Sequence, residues 1–352
     1  MSTKSRVLVV GGGGVGTISA LNLEQGGLAV VTLVLRSNFE TVAKKGFTIK
    51  SVDHGHWAGW RPLGGVIREV PNTISRGTQP FDYIICCTKS IPDVAPYLAD
   101  TIRPAVTPGR TVIVLIQNGL NIERSILAAF PSNICLSGVS FCGAEESLLG
   151  EILHNDADRL EVGAFTNLHL PLKIQQIAAE AFVTLYQASG KVKVTLEKDV
   201  VAARWRKLVI NAVYNPICAL TDLDTSRLRL ISGAEAGFSI VNGLIRPAMI
   251  EIQAAALSSA NVRLESSLIE KMIDSDPIDS FIMPSMQQDV RKKRYIEVES
   301  ILGEALREGE AVGVAMPIIK TLYHLCKALQ FRTKEGLGMF STNEYLNSYT
   351  RL

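Results

Sequence analysis

The sequence contains no run of about 18 or more uncharged apolar residues, so it offers no candidate for a bilayer-crossing helix and no membrane partner is expected. Charge of one sign is equally scarce. Lys and Arg number 36 against 34 Asp and Glu, a formal net charge of +2. That is too weak a field to argue for nucleic acid or an acidic surface. Cysteine is limited to Cys86, Cys87, Cys135, Cys142, Cys218 and Cys326. None belongs to a CxxC pair or has a histidine at zinc spacing, and no metal is expected. Val7–Val10 and a run of glycines follow the start of the chain almost directly. This leaves no basic segment with a long apolar core, as a secretory signal needs. A reduced, cytoplasmic protein is the expectation. Internal repeats and low-complexity tracts are also lacking.

What is present is a long chain of packed-globule composition: 352 residues, 47% hydrophobic and 20% charged. That length exceeds one ordinary core and points to two domains. Arg6–Val10 is a short β-branched run ended by glycine, which predicts a buried strand. Gly14 to about Gly26 carries Val15, Ile18, Leu21 and Leu23, a helix closed by Gly26-Gly27. Further strands are expected at Ala29–Leu35, Tyr83–Cys87, Thr111–Ile116 and Ile134–Val139, with helical segments between several of them. Fully apolar strands in such alternation predict a parallel sheet covered on both faces. Around Gly150–Ala164 short alternating runs, such as Arg159–Val162, predict antiparallel edge strands.

From about Asp199 the character is helical, through Asp199–Ala219, Gly233–Ala260, Ser266–Asp274, Tyr295–Val312 and Ile318–Leu329. The polar tail from Phe331 is expected to be loosely held. The reading is an α/β domain of Rossmann type over residues 1–195 and an all-α domain over 196–352, with the boundary near Val192–Lys198.

Gly11-Gly12-Gly13-Gly14-Val15-Gly16 satisfies G-x-G-x-x-G at Gly11, Gly13 and Gly16. Alone the pattern is weak, but here it ends a strand and opens a helix in the first βαβ unit. In that setting the first glycine permits the tight turn and the second lets backbone approach a pyrophosphate. The third allows close helix–strand packing, and the helix N-terminus faces the phosphates. Arg36 lies 20 residues beyond Gly16, where an NAD enzyme places an acid for the ribose 2′-hydroxyl. An arginine there grips a 2′-phosphate instead, which favours NADPH/NADP+ as cofactor. Lys89, after the strand Tyr83–Cys87, is either a second positive charge near that phosphate or an ordinary solvated lysine.

Lys207, Asn211 and Asn215 are spaced i, i+4, i+8 and fall within about an 80° arc of one helix face. Leu208, Val209, Ile210, Ala212 and Val213 around them are apolar. Polar groups in such a segment are costly to bury without partners, and a polar cleft relieves that cost. Partial burial also moves a lysine toward a useful general-acid range. A solvent-facing polar stripe is the other reading of the spacing. Asn215-Pro216 predicts a kink or break in the helix.

The segment Trp205-Arg206-Lys207 through Asn211 to Asn215-Pro216 resembles the part of the ketopantoate reductases that carries their catalytic lysine and two asparagines. Gln117-Asn118-Gly119 resembles the family's Asn-Gly turn. Ser285-Met286-Gln287-Gln288-Asp289, with Glu297 twelve residues after Ser285 and Gly303 beyond it, resembles the family's serine, Gln-Asp and glutamate. With the glycine turn these motifs run in order from residue 11 to residue 303. The resemblance implies a Rossmann domain and a helical domain of the 6-phosphogluconate dehydrogenase type, with the active site in the cleft between them. It implies NADPH-dependent reduction of 2-dehydropantoate to pantoate, on the route to pantothenate and coenzyme A. On that resemblance Lys207 is the general acid and Asn211 and Asn215 orient substrate and lysine. Ser285 holds the carboxylate, Glu297 binds the substrate hydroxyl, and Asn118 bridges cofactor and substrate.

The chain departs from the family at Ile282, where some members carry a substrate-contacting Asn, and at Pro284. Asp53–Arg61 has no evident counterpart. A reductase of another small 2-oxo acid and a non-catalytic NADP-sensing protein of the same fold are the alternatives. His54 and His56, two apart beside Asp53, are read as surface loop residues rather than metal ligands. Arg291–Arg294 is read as a solvated helix face, with a contribution to binding the anionic cofactor as the alternative. The partner expected is a small-molecule 2-oxo acid. A helical second domain often supplies a homodimer face, though no residue of the sequence fixes one.

Overall fold

The computed structural model describes residues 4–73, 79–234, 237–341, 343–344 and 346. The chain divides into two compact units, Met1–Ser90 with Val94–Ala203, and Ile91–Asp93 with Arg204–Leu352.

The first unit carries strands β1 (Ser5–Val10), β2 (Ala29–Val34), β3 (Phe47–Ser51), β4 (Gly55–Trp60), β5 (Val66–Ile67) and β6 (Tyr83–Cys86). Then come β7 (Val112–Leu115), β8 (Cys135–Ser140), β9 (Gly143–Leu148), β10 (Glu151–Asp156), β11 (Arg159–Ala164) and β12 (Lys193–Leu196). Its helices are α1 (Gly14–Gln25), α2 (Phe39–Lys45), α3 (Leu98–Ile102), α4 (Arg124–Ala129) and α5 (Leu172–Gln187).

Eight strands form one sheet in the order β12-β11-β8-β7-β6-β1-β2-β5. From β5 to β8 every pairing is parallel. Numbered within that run the order is 3-2-1-4-5-6, the doubly wound dinucleotide-binding arrangement. Such strands must be apolar on both sides, and here they are. Val7 and Val9 enter one core cluster, Leu8 and Val10 the other, all buried. The antiparallel pairing expected near Arg159 is present, β11 against β8. The edge position is corrected: β12 adds in parallel beyond β11 and takes the edge.

The segment Asp53–Arg61 supplies β4, which pairs antiparallel with β3 in a second sheet of order β4-β3-β10-β9. The loop reading of the two histidines is corrected there. His56 is exposed on β4, whereas His54 is buried, with Nδ1 2.8 Å from the Gln25 side-chain oxygen on α1.

The second unit is helical: α6 (Val200–Thr221, starting just before the division), α7 (Thr225–Ala234), α8 (Arg246–Ala260), α9 (Leu268–Ile273), α10 (Ser285–Arg291), α11 (Glu304–Ala311) and α12 (Pro317–Gly336). π-Helical turns at Val241–Ile245 and Glu299–Gly303 run directly into α8 and α11. Several expectations change. The helix does not break at Pro216, since α6 runs on to Thr221 and buries Ile217, Cys218 and Ala219, which offsets one lost hydrogen bond. The expected Gly233–Ala260 helix is interrupted, with residues 235 and 236 outside the described ones. The expected Tyr295–Val312 helix is regular only from Glu304. The basic run leaves helical geometry after Arg291, with Lys293 at φ +52°.

The tail from Phe331 is held, not loose, as far as Gly336 and beyond. Gln330 is buried and accepts the Ile296 amide at 2.9 Å, and the rings of Phe331 and Phe340 stack at 5.9 Å. Residues 347–352 lie outside the described ones. No helix among the described residues is long and apolar enough to cross a membrane.

Candidate active site

The sequence-nominated nucleotide residues leave the carboxyl ends of four neighbouring strands, β7-β6-β1-β2. Gly11 follows β1, Arg36 follows β2 by two residues, Lys89 follows β6 and Asn118 follows β7. Val10 stands level with Val34 of β2 and Cys86 of β6, so the glycine turn opens between those strand ends. This is where the strand order reverses, the place at which open α/β sheets bind ligands.

The glycines differ in what compels them. Gly11 sits at φ +107°, and a Cβ there would meet the Thr88 backbone nitrogen at 2.9 Å. A Cβ on Gly12 would lie 2.0 Å from a Leu35 methyl, on Gly14 2.3 Å from the Ala144 carbonyl oxygen, and on Gly16 1.9 Å from the Gly11 carbonyl oxygen. A Cβ on Gly13 would meet nothing within 4 Å. So Gly11 makes the turn, Gly16 permits close packing, and Gly13 is the open face that backbone approach to a pyrophosphate requires. The first turn of α1, from Gly14 through Val15, carries no acidic residue, and its leading amides have no intrahelical acceptor. These residues fit a dinucleotide. Arg36 and Lys89 are exposed, and Asn118 is half-buried.

Residues that sequence reasoning missed hold this turn. The buried Asn38 amide donates to the Gly12 carbonyl at 2.8 Å and to the Glu146 carboxylate at 2.7 Å. Glu146 also accepts the Gly150 amide at 3.1 Å, and the Thr17 hydroxyl donates to the Gly12 carbonyl at 3.2 Å. Gln117 donates to the Thr88 carbonyl at 2.7 Å, tying the turn before Asn118 to the one before Lys89. Asn38 stands only two residues past Arg36, the single signal that could have flagged it.

Polar groups also anchor the inner side of α1. Tyr186 on α5 is fully enclosed and its hydroxyl lies 2.8 Å from Asp158 and 3.0 Å from Ser19 of α1. Burial raises the Asp158 carboxyl above its usual range, although the Tyr186 hydrogen bond opposes it. Ser51, His154 and Asp53 lie together, with Ser51 Oγ 2.7 Å from His154 Nδ1 and His154 Nε2 3.7 Å from Asp53. This is not a nucleophile site by its bonding. The Ser51 hydroxyl accepts the Asp53 and His54 amides at 3.3 and 2.9 Å, so it closes the β3–β4 turn.

In the helical unit Lys207, Asn211 and Asn215 stand successively along α6. Lys207 and Asn211 are half-buried and Asn215 is buried, 4% exposed, among enclosed Leu208, Val209, Ala212 and Val213. Ser285 opens α10, and its loop is pinned to the end of α6 and the start of α7. The Ile282 carbonyl accepts the Thr225 amide at 3.1 Å, the Phe281 amide donates to the Ser226 hydroxyl at 3.0 Å, and Arg291 pairs with Asp222 at 2.6 Å. Glu297 is buried just ahead of the π-helical turn, between buried Ile296 and Val298. The nominated residues therefore fall into two groups, one in each unit.

Residues 7–167 match the family model described as ketopantoate reductase PanE/ApbA, and residues 199–330 match that of its C-terminal part. An uncharacterized protein of Saccharomyces cerevisiae is 35% identical over 356 residues, covering 97% of this chain and 98% of its own length. The crystal structure of 2-dehydropantoate 2-reductase from Methylococcus capsulatus is similar with a TM-score of 0.73 at 30% identity, over 93% of this chain and 97% of that one. The ternary structure of D-mandelate dehydrogenase with NADH and anilino(oxo)acetate shares the fold, with a TM-score of 0.76 at 18% identity over 94% and 99% of the two chains. The chain belongs to the ketopantoate reductase family, whose members are NAD(P)H-dependent oxidoreductases.

Proposed function

We propose that the protein reduces 2-dehydropantoate to (R)-pantoate with NADPH, in pantothenate and coenzyme A synthesis. The observation that carries this reading is the α6 face, on which Lys207, Asn211 and the buried Asn215 interrupt an enclosed apolar helix. Polar groups in such a segment are costly to bury unless something offsets the cost, and a polar substrate contributes to that.

In this reading Gly11–Gly16 hold the pyrophosphate, and Arg36, with Lys89 as a second charge, holds the 2′-phosphate. NADPH, when bound, supplies the hydride that adds to C2 of the 2-oxo acid. Lys207 holds the proton that passes from its Nζ to the carbonyl oxygen as that oxygen gains charge. Asn211 and Asn215 orient the substrate against the lysine, Ser285 anchors the carboxylate, and Glu297 accepts a hydrogen bond from the substrate hydroxyl. Asn118 fixes the reacting carbon relative to the cofactor.

A second substrate is favoured by one observation: Ile282, three residues before Ser285, is 39% exposed while its backbone is pinned by Thr225. An apolar side chain on that fixed loop suits a 2-oxo acid without the hydroxyl. The deciding experiment follows loss of reduced cofactor by the purified protein, with 2-dehydropantoate and 2-oxoisovalerate, each with NADPH and with NADH. NADPH-specific turnover of 2-dehydropantoate alone is the expected result. Equal rates on both acids overturn the substrate assignment, and equal rates with both cofactors overturn the assignment of Arg36.

A further inference from the structure

Asn38 stands at the N-cap of α2, directly before Phe39. Asparagine is favoured at that position because its side chain can accept an amide of the first turn. Here it makes no such bond. The side chain is buried, 3% exposed, and its amide reaches away from its own helix, to the Gly12 carbonyl at 2.8 Å and the Glu146 carboxylate at 2.7 Å. Those acceptors lie 26 and 108 residues away, and between them they use both donors of the amide.

Asn38 thus joins three segments, all within the sheet unit. Gly12 belongs to the glycine turn after β1. Glu146 belongs to β9 and is 7% exposed, and it also accepts the Gly150 amide, so one carboxylate holds the β9–β10 turn and Asn38 together. The same hairpin lies hard against α1, with the Ala144 carbonyl occupying the space that a side chain on Gly14 would need. The third segment is the loop after β2, which carries Arg36 and ends at Asn38. Its other end is fixed as well. The Leu35 amide donates to the Ile67 carbonyl at 2.9 Å, and a Leu35 methyl fills the space over Gly12. The exposed Arg36 is therefore carried between two anchored residues, one position after Leu35 and two before Asn38.

We propose that Asn38 is a positioning residue that sets cofactor preference. By clamping the Arg36 loop onto the glycine turn and β9, it fixes the spacing between the 2′-phosphate and pyrophosphate sites. The inference rests on the function proposed above for Arg36 and the glycine turn. NADH needs only the glycine turn, whereas NADPH needs the turn and the arginine at one spacing. A merely structural asparagine would change stability, or the affinity for both cofactors alike. A positioning one changes their ratio.

The test measures NADPH and NADH dissociation constants by fluorescence titration of the full chain and its variants, without any oxo acid, beside thermal midpoints. Asn38→Ala should weaken NADPH binding by roughly tenfold and NADH binding by less than about threefold, the scale of losing two hydrogen bonds at one site. Arg36→Ala should narrow the preference too. The double variant should narrow it no further than Arg36→Ala alone, because the amide acts through the arginine. Glu146→Ala removes one of the two acceptors and should narrow the preference in part, and Glu146→Gln, which keeps an acceptor, should recover most of that loss. This pair decides the point if Asn38→Ala fails to fold. Asn133→Ala is the matched control. That buried amide donates to the Thr107 and Thr111 carbonyls at 2.9 and 2.8 Å, ahead of β7 and β8 and so at the opposite strand ends. It should lower the midpoint and leave the ratio unmoved. Equal losses of both cofactors in Asn38→Ala, or additive narrowing in the double variant, overturn the proposal. A preference that Arg36→Ala leaves at the wild-type value removes the assignment of Arg36 and this inference with it. Narrowing in Arg36→Ala but not in Asn38→Ala removes this inference alone.

Discussion

Lys207 is half-buried while its neighbours Leu208, Val209, Ala212 and Val213 are enclosed. If it is the proton donor, Lys207→Ala should lower kcat by at least ~100-fold and leave NADPH binding near wild type, the scale expected for losing a general acid. An unchanged rate would remove it from that role. Arg36 is tested from the other side of the reaction. Arg36→Asp should raise the Michaelis constant for NADPH and narrow the preference over NADH, since an acid repels the 2′-phosphate and suits the free hydroxyl. A preference that does not move would hand that recognition to Lys89. Both residues stood out in the sequence because spacing marks them, one on a helical repeat and one at a fixed distance past a glycine turn. Asn38 did not, and Gln117 was marked only as the neighbour of Asn118 in the Asn-Gly turn. Their work is to grip the carbonyls of Gly12 and Thr88, and no spacing rule announces a side chain that serves another loop's backbone.

At the scale of the element, α1 and its glycine turn separate packing from ligand. Gly16→Ala puts a methyl 1.9 Å from the Gly11 carbonyl and should destabilise the protein by about 2 kcal/mol or more, read as a lower thermal midpoint. Gly13→Ala meets no protein atom and should leave that midpoint alone while weakening NADPH binding. If both variants lose only stability, the turn is not a phosphate site. The parallel strands were readable because burial on both faces writes an unbroken apolar run. Helix ends were not. Whether α6 survives Pro216, or α12 reaches Gly336, depends on what packs against the next turn. For α12 that includes Gln330 on the Ile296 amide and Lys334 on Asp93, contacts between residues far apart in sequence.

At the scale of the whole molecule, folding encloses a histidine that the sequence placed in a surface loop. Burial pushes the His54 imidazole down to about 4, with Asp53 opposing the shift and His154 and Lys191 adding to it. The unfolded chain, with an ordinary value of about 6.5, therefore takes up the proton first. Stability is full above about pH 6.5 and is lost as the pH falls toward 4. Thermal midpoints through that range should fall more steeply for the wild type than for His54→Gln, which keeps a donor for Gln25. Equal slopes would exclude His54 as the source. The two-part plan of the fold was legible from the change of period near Asp199. The return of Ile91–Asp93 to the helical unit was not, because no periodicity marks a single aspartate in a proline-containing loop.

That return has a consequence for how the chain is made. Asp93 lies 234 residues ahead of Lys327. At roughly 5–20 residues per second, its partner lysines leave the ribosome roughly 10 to 50 s after it does. Throughout that interval Asp93 is without these lysines, and synthesis of α12 is the event that supplies them.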